Sequence, residues 1–192
     1  MRQLHHIKLI GRSLHWVVAL GFITLSLLGI YMVNAEAWNI YPSHKSLGVL
    51  LLSVIVFRIG WRLWFGCVGS ALFGNIITRR LANVVHGLLL AGTLLMPLSG
   101  ISYSGWSGHG VALFGWKLVA MHLDAAGQVV PYSVFWSDLS EQVHEVAGYS
   151  LLLLLLGHIA AAVKHRMTNL RAPSAVMAMQ TPQDPAGSAT TD

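Results

Sequence analysis

Five histidines stand out by where they fall in the chain. His15, His44, His86 and His158 lie in or beside long apolar stretches, and His144 opens the last of them. An ionisable side chain is costly inside a membrane span, so each marks a functional site by default. His144 and His158 are fourteen residues apart. Fourteen helical residues make nearly four turns, so both project from almost one face, about 21 Å apart along the axis. The same step joins His15 to Gly29, His44 to Arg58, and His86 to Gly100.

Sorted by depth in helices of alternating direction, these residues form two levels. Gly29, His44, Gly100 and His144 share the outer one; His15, Arg58, His86 and His158 share the inner one. Two histidines meeting at a level can clamp a porphyrin iron from both sides, and bundle interiors are usual cofactor sites. Two levels therefore point to two haems, one above the other. A glycine facing each plane leaves room for a flat macrocycle. Arg58 either pairs with haem propionates or snorkels to the inner surface. A single intramembrane histidine more often bonds a neighbouring helix, but His44, His144 and His158 together turn the balance towards ligands. Only His44 and His144 are available at the outer level. The inner level admits His15–His158, His86–His158 or His15–His86. His5, His6, His109, His122 and His165 fall in loops or at helix ends and read as solvated.

The elements that must position these residues follow from composition. The 192 residues are 55% hydrophobic and 10% charged, against about a quarter charged in an ordinary soluble domain. That excludes a water-soluble monomer and a disordered chain. The apolar residues gather at about 14–33, 45–65, 82–102 and 143–163, each near the roughly 20 residues that span a bilayer. The first run is too long for a signal peptide and reads as a retained helix. The expected fold is all-α, an integral membrane four-helix bundle. Its single cysteine, Cys67, excludes an internal disulfide, a cysteine-rich metal site and covalent haem attachment.

Ten of the twelve basic residues fall on one side of these spans, leaving Lys45 and Lys117 on the other. The positive-inside rule places both termini in the cytoplasm. The net charge of +5 is thus a topology signal, and no nucleic-acid partner is expected. The long outer connection, about 103–142, carries Trp106, Trp116 and Trp136, suited to a membrane interface. Asp138 and Glu141 have capping-box spacing for the last helix. Residues 1–166 read as the transmembrane domain and 167–192 as a mobile cytoplasmic tail, with Pro, Ser, Thr and Gly after Pro173.

Leu14-His15-Trp16, His44-Lys45-Ser46-Leu47-Gly48, Arg58 with Trp61-Arg62, and His86 with Met96-Pro97-Leu98-Ser99-Gly100 occur in that order. They are followed by His144-Glu145, Gly148-Tyr149, Gly157-His158 and Lys164-His165. Together they resemble the bacterial cytochrome b561 family over about residues 10–166. The resemblance implies a di-haem b cytochrome of the bacterial inner membrane. His15 and His158 would then hold the inner haem, and His44 and His144 the outer one. Arg58 and Gly48 join them as cofactor-binding residues, and His86 becomes a near-haem residue close to quinone.

The expected activity is transmembrane electron transfer from a periplasmic donor to membrane quinone. Some members of the family are superoxide:ubiquinone oxidoreductases, so the donor is superoxide or a redox protein, and the chain is such an oxidoreductase or a pure carrier. Lys45 and Lys117 are the permanent cations available to attract an outer anion, although either also reads as an ordinary interfacial lysine. Near the inner level, Asn83, His86, Arg80 and His165 can supply hydrogen bonds and protons to a quinone. The alternative is a haem-bearing membrane anchor of a periplasmic dehydrogenase or hydrogenase. A third class, a histidine-lined transporter or metal carrier without haem, would be colourless.

Overall fold

The computed structural model describes residues 2–65 and 76–178, with side chains for 5–65 and 76–168. Cys67 and residues 179–192 lie outside the described residues. Four helices account for most of the chain: α1 (Arg2–Asn34), α2 (Tyr41–Phe65), α3 (Ile76–Trp106) and α4 (Val134–Ala178). The segments His5–Asn34, Trp38–Phe65, Ile76–Trp106 and Val134–Thr168 are each long and apolar enough to cross a membrane. The architecture is an all-α membrane four-helix bundle. Its helices extend beyond the apolar stretches. The helix α4 extends to Ala178.

The chain divides into two compact units, residues 1–154 and 155–192. In the first, α1 ends where Glu36 adopts a left-handed φ of 50°. The Ala37 N–H reaches back to the Met32 carbonyl (3.0 Å), a Schellman-type closure. A 3-10 turn, Trp38–Ile40, leads into α2. This short connection sets α1 and α2 antiparallel. Close helix approach rests on glycine. A β-carbon on Gly21 would come within 2.8 Å of Leu51, and Gly92 and Gly148 likewise lie against Leu151 and Met96. Leu51 follows His44, and Leu151 follows His144, by seven residues, two turns along nearly the same face.

The interior is small: Val18, Phe22, Leu51, Ile55 and Leu151 are among its buried side chains. The outside is apolar, with Leu63, Trp64 and Leu153 exposed by 81%, 85% and 73%. Lipid covers such a surface as readily as protein does, so helix contacts rely on small and hydroxyl residues. Ser46, Ser99, Ser104, Ser107 and Ser137 are all buried.

The connection from α3 to α4 contains a hairpin that the sequence did not suggest. Strands β1 (Val111–Leu113) and β2 (Trp116–Val119) pair antiparallel. Phe114 and Gly115 form the turn with φ of 47° and 95°, the positive values a two-residue type I′ turn requires. Ser133, rather than Asp138, caps α4. Its hydroxyl accepts the Trp136 N–H (3.4 Å), and its carbonyl accepts the Ser137 N–H (3.0 Å). Asp138 is already in the second turn, so the expected capping box has no open helix end to cap. The second unit, the C-terminal part of α4, carries His158 and His165, both half-buried.

Candidate functional site

The first unit brings His44 of α2 and His144 of α4 together. Their ring centroids are 6.3 Å apart and their planes cross at 83°. Imidazoles that share one metal through nitrogen bonds of about 2.0–2.1 Å stand at a separation of this order. The same separation also falls within the range of edge-to-face ring packing. The nitrogen partners distinguish the two.

His144 Nδ1 lies 2.9 Å from the Met96 carbonyl oxygen. A carbonyl can only accept, so Nδ1 carries the proton and Nε2 keeps its lone pair. That tautomer is the one able to bind a metal through Nε2. His44 Nδ1 is buried and has no hydrogen-bond partner. Ligation through Nε2 would leave this Nδ1 as it is, so the atom does not separate ligation from packing. The His144 tautomer fits a metal between the two rings.

The glycines of this level meet the imidazoles themselves. A β-carbon on Gly29 would lie 3.4 Å from His44 Cε1, and one on Gly100 would lie 3.0 Å from His144 Cε1 and 3.2 Å from its Nδ1. Space for the His144 ring, not only for a macrocycle, therefore favours glycine at 100, whereas a β-carbon at 29 would make an ordinary contact. Gly48, one turn after His44, has nothing within 4 Å of its β-carbon position.

The hairpin is fastened beside this pair. Ser46 donates towards the carbonyls of Pro42 (2.9 Å) and Ala112 (3.1 Å), and its oxygen accepts the Phe114 N–H (3.1 Å). Lys45 Nζ donates to the Gly110 carbonyl (3.1 Å) and sits 4.6 Å over the Tyr41 ring. Its ammonium thus fastens the loop and is half-buried, while Lys117 on β2 is exposed. Tyr41 Oη and Ser104 Oγ are 3.3 Å apart, and Ser107 Oγ lies 3.0 Å from His109 Nδ1.

At the other level, Arg58 Nη2 is 3.0 Å from His15 Nδ1. A guanidinium can only donate, so Nδ1 accepts and Nε2 carries the proton. In this arrangement His15 is not ready to ligate through Nε2; Arg58 must first release Nδ1. His86 is half-buried on α3, and Asn83 and Arg80 on the same helix are exposed. His158 and His165 belong to the second unit.

Residue types and spacing did not single out Ser99 and Ser46, nor the Met96 carbonyl. The available signal was adjacency: Ser99 precedes Gly100, and Ser46 is two residues from His44.

A membrane bundle with facing histidines and one ring in a metal-ready tautomer has the build of a haem-b electron carrier. The sequence model for prokaryotic cytochrome b561 matches residues 6–175. Cytochrome b561 homolog 2 of Escherichia coli (strain K12) is 27% identical over 161 residues, covering 81% of this chain and 82% of the relative. The chain belongs to the prokaryotic cytochrome b561 family, transmembrane haem-b electron carriers, and is a multi-pass protein of the bacterial inner membrane.

Proposed function

We propose that this protein carries electrons through two b haems, from a periplasmic donor to membrane quinone, with both termini in the cytoplasm. The observation that carries the reading is the His44–His144 pair at 6.3 Å, with the His144 proton fixed on Nδ1 by the Met96 carbonyl. His44 and His144 hold the outer haem, and His15 and His158 the inner one. Arg58, 3.0 Å from His15 Nδ1, would pair with the propionates of an inner haem, a charged acceptor in place of a neutral one. Haem supplies one-electron redox chemistry when bound. Two imidazole ligands leave no open position for oxygen, which favours electron transfer.

The donor is superoxide or a redox protein. Superoxide gives up one electron and leaves as oxygen; two such electrons and two cytoplasmic protons convert quinone to quinol. His86, Asn83, Arg80 and His165 serve the quinone, and Lys45 and Lys117 contribute positive potential at the outer side. The chain is then a superoxide:quinone oxidoreductase. The exposed hairpin supports a second reading, a haem-bearing anchor subunit, because Phe114 and Trp116 are 67% and 78% exposed where a periplasmic subunit would dock.

The test is haem quantitation of purified protein, followed by reduction with superoxide and stopped-flow reoxidation by a ubiquinone analogue. Two haems per chain, reduced by superoxide and reoxidised by quinone, are expected. One haem per chain overturns the inner site. Reduction only in the presence of a co-purifying partner replaces the oxidoreductase reading with the anchor reading.

A further inference from the structure

The two outer histidines are held unequally. His44 has Gly29 against its ring and a buried Nδ1 without a partner. His144 is cradled by one turn of α3. Ser99 Oγ donates to the Met96 carbonyl (2.9 Å), which commits the hydroxyl proton. The oxygen of Ser99 then faces His144 Nδ1 at 3.1 Å and can only accept from it. The Met96 carbonyl accepts from the same Nδ1–H at 2.9 Å, so one N–H is shared between two oxygens. Gly100 closes the third side, where a β-carbon would lie 3.0 Å from the ring. Ser99 is 6% exposed, so water does not compete for these bonds.

Nδ1 lies off the axis through Nε2 along which the ring would bind a metal. Turning the ring about that axis sweeps Nδ1–H past its acceptors. One acceptor biases that rotation, and two acceptors on neighbouring residues fix it. On the reading that His44 and His144 ligate one iron, we propose that Ser99 is a positioning residue. Acting through His144 Nδ1, it holds the two ligand planes near the perpendicular angle of 83° and so sets the electronic state of the outer haem. Acceptors at the distal ring nitrogen of a metal-bound histidine orient it and raise its donor strength. Neither function needs Ser99 to touch the haem or a substrate.

The test is electron paramagnetic resonance of the oxidised full-length protein, with haem content measured on every sample. Low-spin ferric haem with perpendicular imidazole planes gives a strongly anisotropic signal, and its largest g value falls as the planes turn parallel. The outer signal is identified as the one lost in His144→Ala. Ser99→Ala is expected to keep full haem content while the largest g value of that signal falls. Ser99→Thr, which retains the hydroxyl, is expected to match the unaltered protein. Ser99→Cys keeps the volume with a much weaker acceptor and should shift as Ser99→Ala does; it carries the test if Ser99→Ala fails to accumulate. Full haem with an unchanged signal in the hydroxyl-free variants overturns the proposal. Retention of both haems in His144→Ala instead overturns the ligand assignment beneath it.

Discussion

The two histidine levels of the first unit use the same residue type in opposite proton states. At the hairpin end, a backbone carbonyl of α3 faces His144 Nδ1, which leaves Nε2 ready to ligate. At the arginine end, Arg58 faces His15 Nδ1, which puts the proton on Nε2. The partner decides the tautomer, and the tautomer decides whether an imidazole can bind metal without rearrangement. On the proposed ligand assignment, the hairpin end is organised for its metal in advance, and the arginine end would have to exchange a hydrogen bond first.

The largest effect that can break this comparison is loss of a ligand. His44→Ala and His144→Ala should each lose the same haem, about half the haem per chain, measured by pyridine haemochrome assay. Loss of different haems in the two variants would show that they do not share one iron. His158→Ala and His15→Ala should both lose the other haem; two haems per chain in His15→Ala would remove it from the ligand set and bring His86 forward.

A smaller effect sharpens the contrast between the glycines. Gly100→Ala forces a β-carbon to 3.0 Å from the His144 ring, an overpacking cost of about 1–3 kcal/mol. Haem loss on heating should occur at lower temperature in Gly100→Ala than in Gly29→Ala, whose β-carbon makes an ordinary contact at 3.4 Å. Equal behaviour would mean that the rings yield at no cost.

Fastening of the hairpin comes next. Ser46→Ala leaves the Phe114 N–H and the Ala112 carbonyl without this partner, an expected loss of about 1–3 kcal/mol if they stay dry. Amide hydrogen exchange at 111–119 should accelerate while haem content holds. Protection equal to that of the unaltered protein would show that the strand pairing alone suffices.

The smallest expected change is at the quinone residues. His86→Ala and Asn83→Ala should keep both haems and slow reoxidation by added quinone, with Asn83→Ala the weaker because its side chain is exposed. Unchanged stopped-flow rates in both would place quinone elsewhere.

Much of the architecture was legible in the residues alone. Four apolar stretches of spanning length specify four helices because hydropathy is a local property. Depth counted along helices of alternating direction brings Gly29, His44, Gly100 and His144 to one level, because helical rise is local too. The hairpin was harder to see, since Phe114 at a positive φ is not a usual turn residue and the strands are only three and four residues long. The capping residue was misplaced because Asp138 has the right spacing, yet α4 had already begun at Val134.

Tertiary structure alone decided where the protons sit. Met96 and His144 are 48 positions apart, Ser99 and His144 are 45, and His15 and Arg58 are 43. No local pattern encodes which nitrogen meets a carbonyl and which meets a guanidinium. Histidine at a given depth follows from the sequence; its readiness to bind iron depends on a hydrogen bond that exists only once helices from distant parts of the chain have packed.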